Sequence, residues 1–459
     1  MKTLRLKSIL PVLSGEIING DVNSLIKSVA KGIRYKLMNH SIYFHIQKGK
    51  VQIPSDVKTC VIVVSNLSHV SGINDEGVTI VLVQNVKSAY YRFISYYRRL
   101  FDIPVIGITG TCGKTTTKEM ISWILSNDLN VVKTRLSLNG LARNLQYLMQ
   151  IDDDTDVAVI EMGVDGPDNM LYTAHYFRPD IGVITNIGVD HLEGFQEHDK
   201  YIEEKEKMLK ALGNKGVLVL NADDEHTKKI NLADYKGKII NVSLYQDATL
   251  TAENIEYREK GMGFTIRYKR KEYPCFVPGF GEHNVYNALY AIAVCIEVNK
   301  MGISDMIERL KTFKHVQRHT QFKKGLNDSV IIDDTWSTNP TSIKAALDVL
   351  QHASNATKKV VVLGDIEELG QSYVNEYNNV AELVVNSKVD YFITIGEKSK
   401  VMSMRAIELG MNPQNVYHAH EQQAVVNFLQ SISDHDTCIL VKTSMNRSYR
   451  NLLERLTQP

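Results

Sequence analysis

The chain has 459 residues, ample for more than one buried core, and its 44% apolar and 23% charged residues are ordinary for a globular protein. Its 53 basic residues face 52 acidic ones, a balance that argues against electrostatic capture of nucleic acid or of a membrane surface. The five cysteines, Cys60, Cys112, Cys275, Cys295 and Cys438, form no CxxC pair. That pattern argues against a structural zinc site or a disulfide framework, and for free thiols in a reducing cytosol.

Lys2, Arg5 and Lys7 precede only a short apolar stretch, Ile9–Leu13, too short for a signal segment, and no apolar run reaches transmembrane length. A cytoplasmic protein without membrane insertion is expected. In chain order, residues up to 98 carry short strand-like runs such as Cys60–Ser65 and Val78–Val83, followed by a helical segment, Ala89–Leu100. From Ile103 apolar runs alternate with amphipathic helices: Val105–Thr109, Val157–Gly163, Ile181–Ile187 and Val217–Asn221. That alternation predicts a parallel sheet with crossover helices. Residues 239–277 look antiparallel, with Phe264, Ile266 and Tyr268 alternating with Thr265 and Arg267.

A second α/β series begins near Val330, with strands predicted at Val330–Asp334, Lys359–Gly364, Tyr391–Gly396 and Cys438–Lys442. Polar or glycine residues end each of them, where open α/β sheets bind ligands. The segment Phe313–Arg318 is the predicted hinge. The expected fold is α/β in three domains: a small α/β N-terminal substrate-recognition domain (1–98), a central P-loop NTPase-like parallel sheet (99–314) and a Rossmann-like C-terminal domain (315–459).

The strongest motif follows strand Val105–Thr109. Gly110-Thr111-Cys112-Gly113-Lys114-Thr115-Thr116-Thr117 leads into a helix with Met120, Ile121, Ile124 and Leu125 on one face. Glycines let backbone N–H groups turn onto phosphate oxygens, and the helix N-terminus adds partial positive charge. Lys114 would reach the β- and γ-phosphates and the Thr115 hydroxyl would hold magnesium. The GxxxxGK[ST] spacing is not met, because position 108 is Ile and the first glycine stands four residues before the lysine. An ordinary strand–turn–helix is the bland alternative, disfavoured by the strand before and the helix after Gly-Lys-Thr-Thr.

Further motifs are separated along the chain: Glu161 in Val-Ile-Glu-Met-Gly, Thr185-Asn186-Ile-Gly-Val-Asp190-His191-Leu192, Tyr201-Ile-Glu-Glu-Lys205, Asn221-Ala-Asp223-Asp224, and Gly281-Glu-His283-Asn284-Val-Tyr-Asn287. In order and spacing they resemble the Mur ligase family, which forms amide bonds in peptidoglycan precursors at the expense of ATP. Ile332–Ser342 and Val362–Gly370 look most like the branch that joins D-alanyl-D-alanine to a UDP-linked muramoyl tripeptide. The resemblance implies an ATP- and magnesium-dependent ligase in which a carboxylate takes the γ-phosphoryl group and a small-molecule amine then displaces phosphate. Charge builds on the transferring phosphoryl oxygens, so cationic groups are required around it.

Carried over residue by residue, the resemblance gives Lys114, His191, Lys205 and Arg318 catalytic roles. Thr115 and Glu161 would hold one magnesium, His191 and Lys205 a second, with Lys205 N-carboxylated. Gly110, Thr111, Gly113, Lys114, Thr115, Thr116, Asn284, Asn287, Arg318, Asp334 and Asn339 would bind the nucleotide. Arg34, Asn139, Thr185, Asn186, Trp336 and Lys442 would line the substrate side. Glu203, Glu204 and Glu206 beside Lys205 would favour its ammonium form if they pointed at it. Taken singly, Glu161 and Lys205 could be an ordinary ion pair, His191 structural, Asn284 and Asn287 helix-start residues, and Arg318 and Lys442 surface charges.

Departures from the family pattern concentrate on the substrate sides. The Asp and Ser donors that flank the family's uridine-site arginine are missing around Arg34, Trp336 stands where tyrosine is usual, and Lys442-Thr443-Ser444-Met445 lacks an arginine. A paralogue joining other partners, or a nucleotide-binding protein without ligase activity, are the competing readings. A monomer is expected.

Overall fold

The computed structural model describes residues 1–32, 37–299, 301–352, 356–445, 449 and 451–457. The backbone forms two compact units. One comprises Met1–Val105, Leu129–Ala158 and Tyr172–Arg178; the other comprises Ile106–Asp128, Val159–Leu171 and Pro179–Pro459.

In the first unit a five-stranded sheet runs in the order Gly15–Asn19, Val78–Val83, Cys60–Val64, Ser41–Phe44, Ser28–Lys31. Only the Gly15–Asn19 edge is antiparallel. Cys60–Val64 is buried along its whole length, as expected of a central strand built from β-branched residues. The helix Val86–Arg98 starts three residues before the predicted Ala89, because the Asn85 side chain accepts from Ser88 N at 2.9 Å and caps it.

The central sheet has nine strands, in the order Lys271–Pro278, Gly261–Tyr268, Leu250–Arg258, Lys238–Ser243, Val217–Asn221, Ile181–Ile184, Val105–Thr109, Val157–Glu161, Val131–Lys133. Lys238–Ser243 pairs parallel with both neighbours, and the antiparallel part is confined to residues 250–278. The predicted antiparallel stretch, 239–277, therefore begins one strand too early. Val105–Thr109 lies parallel to Ile181–Ile184, with Thr109 opposite Ile184. The loops that leave these two interior strands thus start side by side at the carboxyl ends of the parallel strands. Helix Glu282–Asn299 backs this sheet; Ala288–Cys295 are fully buried, the pattern of a helix apolar on every side.

The C-terminal sheet runs Gln321–Lys324, Val330–Asp334, Thr437–Lys442, Lys358–Gly364, Tyr391–Ile395, Val416–Ala419. All pairs but the first are parallel. The register sets Asp334 and Leu363 on either side of Lys442, so the three strands end together. One core cluster packs helix Pro340–His352 and helix Tyr373–Asn386 on one face; Val425, Leu429, Leu452 and Leu456 cover the other. No helix among the described residues is long and apolar enough to cross a membrane.

Candidate active site

Gly110 and Gly113 both adopt positive φ, +139° and +83°, which lets the loop turn between strand Val105–Thr109 and helix Lys114–Leu125. A side chain at Gly113 would come within 2.5 Å of Asn287 Oδ1, and one at Gly110 would collide with the Thr185 hydroxyl. Thr185 and Asn186 hold this loop. Thr185 Oγ1 donates to Cys112 O at 2.6 Å, and Asn186 accepts from Cys112 N through Oδ1 at 3.0 Å and from Thr111 N through its carbonyl at 2.9 Å. Their side chains, expected on the substrate side, are committed to the phosphate loop instead.

Lys114 curls back to donate to Gly110 O at 2.7 Å and Thr111 O at 2.9 Å. The loop thus keeps its cation within its own turn. Thr115 is half-buried in the first helical turn and Thr116 is buried. Asn287 accepts from Thr117 Oγ1 at 3.1 Å. Asn284 donates from Nδ2 to Pro278 O at 2.8 Å and Gly279 O at 3.1 Å; its Oδ1 is buried without a hydrogen-bond partner among the described residues.

Two lysines enter this site in different ways. Glu161, wholly buried at the end of its strand, pairs with the equally buried Lys118 at 3.1 Å. Sequence reasoning missed Lys118, although it stands one helical turn beyond Lys114 and shares its face, which a helix projection exposes. Lys205, also buried, donates to Thr109 Oγ1 at 3.2 Å and stands 4.7 Å from the centre of the Tyr201 ring. Burial, reinforced by the Lys114 charge, holds its amine well below the usual lysine range. Of its acidic neighbours, Glu204 is spent elsewhere: it accepts from Asp168 N and Met170 N, both at 2.9 Å, and from Lys207 Nζ at 2.7 Å.

His191 Nδ1 is in direct contact with Glu368 Oε2, and its Nε2 lies 3.8 Å from Asp190 Oδ2. Asp190, His191 and Glu368 each offer a donor atom within 4.8 Å of the others, with Glu368 on the Nδ1 side of the ring and Asp190 on the Nε2 side, where a divalent cation could be held. The oxygen donors of Thr115 and Glu161 suit magnesium as well, and the depressed Lys205 amine suits carboxylation, which consumes the neutral form. Asp190 and Glu368 occur in the motifs quoted above but received no role there.

Asn339 joins this group to the C-terminal sheet: Nδ2 donates to Asp190 Oδ2 at 3.2 Å, and Oδ1 accepts from Cys112 Sγ at 3.4 Å. Burial, with Asp190 adding to it, pushes the Cys112 thiol up to about 11, so it stands there as a neutral donor. Asp334 pairs with the buried Lys442 at 2.6 Å, and Lys442 also donates to Ser337 O at 2.9 Å. Lys442 is therefore no surface charge. Arg318 holds positive φ, +60°, and places a guanidinium nitrogen 3.0 Å from Met445 Sδ. Among the described residues no carboxylate lies within ion-pair distance of Arg318. The Trp336 ring stacks on His319 at 6.0 Å. Asn139 belongs to the first compact unit, where its carbonyl accepts from Asn144 Nδ2 at 2.9 Å. Arg34 lies outside the described residues.

Residues 108–295 match the Mur ligase middle domain, and residues 318–445 match the family described as Mur ligase, glutamate ligase domain. The UDP-N-acetylmuramoyl-tripeptide--D-alanyl-D-alanine ligase of Buchnera aphidicola is 29% identical over 384 residues, 82% of this chain and 80% of that protein. The Bacillus subtilis enzyme of the same name is 27% identical over 83% of this chain and 82% of its own length. In fold the chain is similar to MurF from Acinetobacter baumannii, with a TM-score of 0.84 and 22% identity over 99% of this chain and 98% of that one. It is likewise similar to the MurF ligase from Thermotoga maritima in complex with ADP, with a TM-score of 0.73 and 18% identity over 87% and 88%. The phosphate loop, the glutamate at the neighbouring strand end and the two matched domains together place the chain in the Mur ligase family of ATP-dependent, amide-forming ligases.

Proposed function

We propose that this chain joins D-alanyl-D-alanine to the terminal carboxylate of a UDP-linked muramoyl tripeptide, a reading supported by the tripeptide--D-alanyl-D-alanine ligases to which it is similar. The observation that supports the chemical part is that Lys114 and Lys205 both donate to Gly110 O, while Glu161 pairs with Lys118 on the helix that follows the loop and Asn339 bridges Cys112 of the loop to Asp190 beside His191.

In this reading Gly110, Thr111, Gly113, Lys114, Thr115 and Thr116 cradle the ATP phosphates, while Asn284 and Asn287 serve the adenine side. A carboxylate oxygen of the tripeptide attacks the γ-phosphorus, the bond to the β-phosphate oxygen breaks, and ADP leaves. The amine nitrogen then attacks the acyl carbon, loses a proton, and expels phosphate that retains the former carboxylate oxygen. Lys114 and Arg318 supply fixed positive charge where the phosphoryl oxygens gain negative charge. Magnesium, held by Thr115 and Glu161 and by His191 with carboxylated Lys205, supplies further charge neutralisation when bound. We assign Asn139, Trp336 and Lys442 roles in substrate binding, and Arg34 a role in binding the uridine nucleotide. We assign residues 1–98 to substrate recognition, 99–314 to ATP binding and 315–459 to closure, in a cytoplasmic monomer.

The test is ADP release from the pure protein with ATP, magnesium and each substrate pair, with mass analysis of the product. The reading predicts sustained release only when the muramoyl tripeptide and the dipeptide are both present, with at most one equivalent per enzyme from the tripeptide alone. Release with a different carboxylate or amine would transfer the chemistry to other partners, and Met445 against Arg318, where the family carries an arginine, is the feature that favours that second reading. No release with any pair at saturating ATP contradicts both.

A further inference from the structure

His191 and Glu368 are far apart in sequence, yet their side chains touch, and their backbones are locked together as well. Glu193 N donates to Glu368 O at 3.0 Å, and Gly370 packs so closely that a Cβ there would lie 3.1 Å from Glu193 Cα. His191 and Glu368 both hold left-handed backbone, φ 53° and 63°, an arrangement that survives only where surrounding packing fixes it. Both lie in the same compact unit.

A carboxylate in direct contact with one imidazole nitrogen shares a proton with it rather than a cation. Glu368 therefore selects the Nδ1–H form of His191 and leaves Nε2 bare, on the side of Asp190. Outer-shell carboxylates of this kind set the tautomer and the ring orientation of metal-binding histidines. Asp190 is itself steadied by Asn339, so two contacts from the C-terminal sequence converge on this histidine turn.

We propose that Glu368 is a positioning residue, supplied by the C-terminal ligase segment, that fixes the tautomer and direction of His191 and so completes the cation site only when residues 366–370 are seated on the 188–194 turn. The proposal rests on the ligase reading for its purpose, but its geometry stands without turnover. It makes the seating of one domain a condition for cation binding on the other.

The test uses the full chain labelled with 15N-histidine, with His191→Gln to assign the signal. At alkaline pH the native protein is expected to show His191 as the Nδ1–H tautomer, and Glu368→Ala to shift it toward Nε2–H. Glu368→Gln, whose carboxamide oxygen still accepts, is expected to retain the native form. Manganese binding followed by water-proton relaxation, without nucleotide or substrate, should weaken about 10–100-fold in Glu368→Ala and much less in Glu368→Gln. An unchanged tautomer or an unchanged manganese affinity in Glu368→Ala overturns the proposal. Failure of the ligase reading is separable, because it appears as absent ADP release in the native chain with both native readouts intact.

Discussion

Glu368 meets His191 across two strained turns, each residue held at positive φ, and the carboxylate is drawn below its ordinary range by that histidine. A glutamate gains nothing from left-handed backbone, so stability alone does not account for it there. Glu368→Gly relieves the backbone strain, roughly 1 kcal/mol, while removing the carboxylate. We predict a chain unchanged in denaturant stability to within about 1 kcal/mol but at least tenfold slower in ADP release. A variant as active as the native protein would leave Glu368 without a role.

Lys118 and Glu161 are both fully buried, and Lys118 also pairs with Glu119 at 2.9 Å, so removing Lys118 takes a cation from two carboxylates, one of them in low dielectric. Lys118→Met is predicted to cost about 3–5 kcal/mol by urea unfolding. Adding Glu161→Gln should recover a large part of that loss, since the buried carboxylate charge that Lys118 offset is gone, without restoring activity. Additive losses in the double variant would show that the pair is not a unit.

His315, in the segment between the two ligase domains, is driven down to about 4 by burial, with His319 adding to it. The unfolded histidine titrates near its ordinary 6.5, so between those two values the unfolded chain binds a proton that the folded chain does not. Its contribution is complete above the upper value, shrinks as pH falls through the window and is exhausted at the lower. Native protein should lose about 1–3 kcal/mol more than His315→Gln between neutral pH and the bottom of this window. Parallel losses in the two proteins would assign the acid sensitivity to other groups.

Parts of this molecule were legible in the residues alone, for identifiable reasons. Val78–Val83, Val105–Thr109, Val217–Asn221 and Val330–Asp334 are runs rich in β-branched apolar residues, the last three ending at polar positions, and all four strands have the predicted bounds. The strand expected at Ile181–Ile187 ends at Ile184, because Thr185 and Asn186 turn to clasp the phosphate loop. The strand Val416–Ala419 is not legible in the sequence, because four residues are too few to show an alternation even with Val416 and Tyr417 among them. The phosphate loop is local and could be read directly. The Lys118–Glu161 and His191–Glu368 contacts depend on which strand end faces which helix, and no spacing encodes that.

The central claim is that a carboxylate oxygen takes the γ-phosphoryl group before the amine arrives. Its most direct measurement is the fate of 18O placed in the carboxylate of the muramoyl tripeptide, followed by mass analysis of the phosphate released with D-alanyl-D-alanine present. Transfer of one 18O atom to inorganic phosphate at each turnover is predicted. Product formed with unlabelled phosphate would contradict the acyl-phosphate route.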